Sequence, residues 1–401
     1  MIAAVSRKRE RRWRWAGLWL YALHLLTVWG LALSNIFLGL AILVTPRVLR
    51  RAAAPWERLR PLLLPMAAYS LFVVASIVAS YDVRTSVGSL SELFALATLF
   101  LGPLLVRGER SVRRLVNGLI AMATLIALEA VVQYRGSFGD VSKRPNGPFS
   151  HYMTLSGVLL ICDVFLLTAL AYGRRGVWRY LALVLINLAL LGSLTRGAWL
   201  ALALTAVVLL AVRKPRTLLA LPVVAVLFVA AAPVPLLHRV LSLGNLRDTS
   251  NYDRLCMIDA GVRMIAEHPV FGMGPDMVEI RYPIYRHPTA PRYWVPHLHN
   301  SFLELAAESG LPALLAYLWL VAAAVRLALA RYRAEGGAAG GRADLYLGTL
   351  LALLAFNLAG LFENNWGDAE VKRMALFAIA LPFCLLLEKD DAGARDVAGG
   401  E

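Results

Sequence analysis

The sequence predicts an all-α, polytopic membrane protein of about twelve transmembrane helices with one large extramembrane loop. Three observations carry that prediction. Of 401 residues, 59% are hydrophobic and 17% charged, and the mean hydropathy is +0.62, well above the range of soluble domains. Apolar runs of roughly 17 residues or more recur along the chain, and about 20 helical residues cross a bilayer core. The net charge of +15 sits in short Lys/Arg clusters between those runs, where positive-inside topology places them. A continuous basic face of the kind nucleic acid requires is absent from the pattern, so the expected surroundings are membrane lipids.

Residues 1–15, MIAAVSRKRERRWRW, are basic and lead into an apolar stretch with no small-residue cleavage site, which reads as a retained cytoplasmic segment. Residues 16–44 lie between two basic flanks that both favour the cytoplasm, so this stretch must cross twice as a tight hairpin. Further spans are expected at 61–80, 90–106, 115–133, 153–172, 178–195, 197–212 and 216–236. After a long outer loop at 237–310, three more follow at 311–331, 343–362 and 373–387, with a cytoplasmic tail at 388–401. Both termini are then inside. Of the 41 Lys and Arg, 27 fall in the inner segments and 14 in the outer ones, seven of them in the long loop where the rule has little force. Three scattered cysteines offer neither a disulfide framework nor a zinc site.

The polar segments of interest all fall on the outer face: RPNGPFSHY in 134–152, SLTRGA at 193–198, the loop 237–310, and ENNWGDAEVKR at 363–373. Arg196 lies where two spans meet with almost no loop, so burial would be costly without an anionic partner. Either it binds phosphate, which suits a permanently charged fork, or it caps carbonyls or pairs with an acid such as Glu363. Around Arg254, the spacing of Leu255, Ile258, Val262 and Ile265 predicts an amphipathic helix along the membrane surface, ended by Pro269, Gly272 and Gly274. Arg254 is free for a ligand unless it pairs with Asp253 or Asp259. Ser301 and Glu304 form an S-x-x-E pattern that predicts a helix from residue 302, with Pro312 marking a break before the next span. His299 then precedes a helix N-terminus, where the dipole favours a neutral ring able to accept a proton, as a general base requires. The alternative is an interface histidine bonded to a backbone carbonyl. His297 lies close by. No metal-ligand spacing stands out, although Asp248 with Asp253, or Glu363 with Asp368 and Glu370, could hold a cation loosely.

The pattern H-N-x-x-L-x-x-x-x-E-x-G, here His299, Asn300, Leu303, Glu308 and Gly310, resembles the signature of the O-antigen ligase and Wzy-type polymerase superfamily. TRGAWL at 195–200, and Arg254 followed by HPVFGMGPDM at 268–277, are similar to its companion segments. RPNGPFSHY, with Arg144 and His151, looks like a degenerate form of another. The resemblance implies a fold of the GT-C type with a periplasmic active site in the inner membrane of a Gram-negative bacterium. It implies a glycosyltransferase working without metal or other cofactor, the donor a glycan on undecaprenyl pyrophosphate and the acceptor a sugar hydroxyl of lipid A-core. Carried over by position, His299 would be the general base, Arg196 and Arg254 would hold the pyrophosphate, and Arg144, His151, His297, Asn300 and Glu308 would be further substrate-binding candidates.

A glycan polymerase or a protein-glycosylating ligase of the same superfamily is the nearest competing function. A lipid-linked-glycan flippase, of a different class, would place ionisable residues in mid-span to line a path. Asp163, His24 and Glu129 are the clearest such residues, and polar groups gather at one membrane face instead.

Overall fold

A computed structural model describes residues 2–49, 56–135, 143–231, 234–245, 248–337 and 341–387. These residues form helices and no strand, and eight stretches are helical, long and apolar enough to cross a membrane. The protein is thus all-helical and polytopic. Helices α1 (Ile2–Leu26) and α2 (Leu31–Leu49) pack on each other across a turn at 27–30, the expected hairpin. The chain continues through α3 (Trp56–Val78), the short α4 (Val83–Ser86) and α5 (Leu90–Ala95), α6 (Ala97–Leu105), α7 (Glu109–Tyr134), α8 (Tyr152–Ala171), α9 (Val177–Gly192) and α10 (Arg196–Arg213). Then come α11 (Leu221–Ala231), α12 (Val234–Leu241), α13 (Thr249–Glu267), α14 (Met277–Tyr285), α15 (Ser301–Ala334), α16 (Ala343–Gly360) and α17 (Ala369–Leu386).

Eight of the twelve expected spans coincide with the stretches that meet the length and composition of a crossing. The other four fall on α1, on the sixteen-residue α9, on α11 with the turn before it, and on α17, whose first turns carry Glu370, Lys372 and Arg373. The expected tail at 388–401 and the flank at 50–55 lie outside the described residues, as do residues 136–142 of the loop before RPNGPFSHY.

Helices α8 and α16 are buried along most of their length and form the centre of the bundle. Around them α10 packs on α16, α3 on α15, α7 on α9 and α17 on α6. The three ionisable side chains expected in mid-span each have a local partner, which lowers the cost of holding them in a low-dielectric interior. Asp163 accepts from Asn187 Nδ2 at 3.1 Å, and His24 bonds Thr98 Oγ1 at 2.8 Å. Glu129 accepts from Gln133 one turn on.

The long loop is a folded unit with its own small core of Met257, Met264, Met273, Met277, Tyr282 and Leu298. On α13, Leu255, Ile258 and Val262 form an exposed apolar stripe, as expected for a surface helix, while Ile265 turns partly inward onto that core. The unit is clamped to the start of α15. Met273 N–H donates to Ala307 O at 2.9 Å, Gly274 N–H to Glu308 O at 2.9 Å, and Leu311 N–H to Pro269 O at 2.8 Å. The first two bonds satisfy carbonyls left open where the helix breaks, and the third satisfies an N–H just after the break. At Gly310 the helix breaks, with φ 84° and ψ 165°, so residues 301–309 form a separate outer segment ahead of the expected span.

Two glycines permit this clamp. A Cβ on Gly310 would lie 2.1 Å from Val270 O, and one on Gly272 (φ 66°) would lie 2.3 Å from Glu308 O. Backbone against backbone cannot yield as a flexible side chain can. Gly310→Ala is therefore expected to cost about 3 kcal/mol or more, from left-handed strain plus the clash. It should appear as a large fall in the melting temperature of the detergent-solubilised protein, and a melting curve within a degree of wild type would contradict the clamp.

Candidate active site

One end of the bundle holds a cavity of about 650 Å³ that gathers Arg144, His151, Arg196, Arg254, His297 and His299 from segments far apart in sequence. Each is positioned by a local device. α9 stops at Gly192, Leu194 takes a left-handed φ of 52°, and Thr195 leads directly into α10, so Arg196 opens that helix and is 5% exposed. Its Nη1 donates to Ser242 Oγ at 2.8 Å and its Nη2 to Asp248 Oδ1 at 3.3 Å. The acid that Arg196 meets is thus Asp248 and not Glu363, because α13 and the turn before it fold back over the start of α10. Asp248 is also the N-cap of α13, accepting from Asn251 N–H at 3.2 Å.

Arg254 pairs with neither sequence neighbour. Asp253 takes Arg292 Nε at 2.5 Å, and Asp259 pairs with Arg263 one turn along. Arg254 instead crosses to the 361–368 loop, where its Nη2 donates to Glu363 Oε1 at 2.8 Å. Its Nε is buried and has no partner.

His299 has a φ of 51°, the left-handed region that non-glycine residues seldom occupy. Leu194, Asp276 and His299 are the non-glycine residues with positive φ among those described. All three line the cavities at this end of the molecule, a placement typical of functional strain. The His299 ring is buried, and Nδ1 lies 2.8 Å from Glu363 Oε2. Facing a carboxylate, Nδ1 carries the proton and donates, which leaves Nε2 as the free acceptor. Glu363, and not a backbone carbonyl, orients this ring.

Glu363 is itself held from behind. Ser301 Oγ donates to Glu363 O at 3.0 Å and accepts from Trp366 N–H at 3.1 Å, while the Trp366 indole donates to Tyr69 OH at 2.9 Å. Ser301 is therefore not the helix cap that the S-x-x-E pattern suggests. Asn300 caps α15, its Oδ1 accepting from Phe302 and Leu303 N–H at 3.0 and 3.1 Å. With the cap one residue earlier, Glu304 reaches back to Leu298 N–H at 2.6 Å. Asn300 lines a smaller apolar pocket beside Arg196 and Arg254, and Glu308 lines a neighbouring chamber beyond His297.

His297 accepts the His299 N–H at Nδ1, 3.3 Å away, and its ring lies 4.3 Å from that of His299. Burial, then the neighbouring His299, pushes its pKa down to about 4, so it stays neutral near pH 7. His151 caps α8 by accepting from Met153 N–H at 3.2 Å, and burial lowers its pKa too. Arg144 stacks over Tyr152 with 4.4 Å to the ring centroid. Among the described residues no group of three or more His, Cys, Asp or Glu could hold a metal ion.

Glu363 as partner of His299 is the role that sequence reasoning missed. The two are separated by 64 positions, and no local spacing links them. The only hint was that an acid closing a membrane span needs a partner.

With this geometry in place, the family comparison is informative. Residues 180–318 match the family described as O-Antigen ligase. The matched stretch contains Arg196, Arg254, His297, His299, Asn300 and Glu308; Arg144, His151 and Glu363 lie outside it. The chain thus carries an O-antigen-ligase-type segment. A comparison with curated proteins found no match.

Proposed function

We propose that the protein is an O-antigen ligase. It moves a glycan from undecaprenyl pyrophosphate to a sugar hydroxyl of lipid A-core, at the periplasmic face of a Gram-negative inner membrane. The observation that carries this reading is the pairing of His299 with Glu363 in a cavity that also holds Arg144, Arg196 and Arg254, within and beside the matched segment.

The reaction follows from those groups. His299 Nε2 takes the proton of the acceptor hydroxyl as the oxygen attacks the anomeric carbon from the side opposite the diphosphate. The bond from that carbon to the diphosphate oxygen breaks, and the configuration inverts. The proton stays on His299, and the Glu363 carboxylate stabilises the imidazolium. Arg196 and Arg254 meet the charge that develops on the departing diphosphate, the task of preorganised cationic donors. Arg254, bonded to Glu363 with its Nε free, ties the leaving-group side to the base side. Diphosphate displaces the loose 3.3 Å contact of Asp248 with Arg196.

The test combines the purified protein with an undecaprenyl-pyrophosphate oligosaccharide and either rough lipopolysaccharide or a second equivalent of donor, with and without EDTA. Glycosylated lipopolysaccharide, insensitive to EDTA, is the expected product. Chain growth on the donor alone would make the protein a polymerase, and loss of activity that magnesium restores would refute the arginine-based mechanism.

A further inference from the structure

Behind the wall formed by His151, Met153, Pro296, His297 and Glu363 lies a second chamber of about 320 Å³, and both cavities share that wall. We propose that this chamber is the acceptor site and that it selects an uncharged sugar over a phosphorylated or uronic one. The proposal rests on the transfer reaction above and adds where the acceptor binds and what kind it is.

The two chambers have opposite chemistry. Arg144, Arg196, Arg254 and Arg292 line the first. No Lys or Arg lines the second, whose walls carry Glu92, Asp276, Glu279, Glu304, Glu308 and Asp368. Glu92 is paired with Lys372 Nζ at 2.6 Å, and the remaining carboxylates, Asp276, Glu279 and Asp368, would repel an entering anion. The acids are spread around the walls and form no group of three fit to hold a metal ion. Burial raises the Glu304 and Glu308 carboxyls, so this pair retains protons and can donate as well as accept.

An independent observation points to a ligand. Asn365 is 5% exposed, lines the chamber and makes no side-chain hydrogen bond to any described residue. An amide that lines a cavity with no protein partner is available to hydrogen-bond whatever enters it. Its neighbours are all engaged: Asn364 Oδ1 accepts from Gly367 N–H, Asp368 accepts from Thr154 Oγ1 and Val371 N–H, and Trp366 bonds Tyr69. An amide with two donors and an acceptor, surrounded by carboxylates, suits the vicinal hydroxyls of a sugar, each of which donates and accepts. The volume is at the small end of ligand sites, on the scale of about one or two sugar rings. A hydroxyl reaching across the shared wall arrives beside Glu363 and the His299 that it orients, opposite the arginines.

The test uses the full-length protein in detergent, an undecaprenyl-pyrophosphate oligosaccharide, and rough lipopolysaccharide with the accepting sugar either neutral or phosphorylated. Asn365→Leu should raise the acceptor KM at least about tenfold while the donor KM moves less than twofold, since only the amide that meets the acceptor is lost. Wild type should prefer the neutral acceptor by about tenfold or more. Glu279→Lys, at the exposed rim and harmless to packing, should narrow that preference several-fold. If transfer proceeds and neither variant changes acceptor KM or preference, the acceptor binds elsewhere and the proposal fails while the transfer reaction stands. If wild type never cleaves the donor, both fail.

Discussion

Replacing His299 by alanine is expected to lower turnover by about 100-fold or more while the donor KM changes less than twofold. A general base acts on the proton that moves in the transition state, so its loss removes stabilisation absent from the bound donor complex. The structure predicts that the variant folds. The Glu363 carboxylate, deprived of its histidine, keeps Arg254 at 2.8 Å, and its loop remains held through Ser301 and Trp366. Glu363→Gln should fall between wild type and His299→Ala. A glutamine can still accept from Nδ1 but cannot neutralise the imidazolium that forms on proton transfer. Steady-state kinetics with saturating acceptor would check the ranking. Wild-type turnover in His299→Ala would leave this histidine a structural residue, with His297 as the remaining ring in the cavity.

Arg196→Lys is expected to fail almost as badly as Arg196→Ala, each by about 100-fold or more, comparable to removing one preorganised donor from an oxyanion site. Arg196 is buried at the very start of α10 and uses both terminal nitrogens, one on Ser242 and one on Asp248. A lysine places one compact charge where two parallel donors stood, and it loses more on burial. Donor affinity should weaken together with turnover, because diphosphate is present in the ground state and the transition state alike. A lysine variant with near-normal transfer would make Arg196 a simple countercharge.

Much of this arrangement was legible in the sequence because it rests on local rules. Hydropathy runs and basic flanks located the hairpin of α1 and α2 and most of the bundle, and the break before Pro312 appears at Gly310. The spacing around Arg254 anticipated α13, and its apolar stripe remains exposed. What local rules could not supply was pairing over distance. Spacing suggested Ser301 as a cap, yet Asn300 takes that place once Ser301 is drawn to the 363–366 loop. Proximity suggested Asp253 or Asp259 for Arg254, and a shared outer face suggested an acid such as Glu363 for Arg196. Helix packing decides otherwise, giving Glu363 to Arg254 and His299 and Asp248 to Arg196. Glu363 is the clearest case, since only the approach of the loop after α16 to the start of α15 brings it to the histidine.

The central claim is that this end of the molecule breaks a glycosyl–diphosphate bond instead of carrying an intact lipid across the membrane. The most direct measurement is phosphorus NMR of the protein in sealed proteoliposomes with undecaprenyl-pyrophosphate oligosaccharide and rough lipopolysaccharide. The expected result is free undecaprenyl pyrophosphate, appearing one for one with glycosylated lipopolysaccharide and absent when the acceptor is left out or His299 is alanine. Movement of intact donor between leaflets with no free undecaprenyl pyrophosphate formed would contradict it.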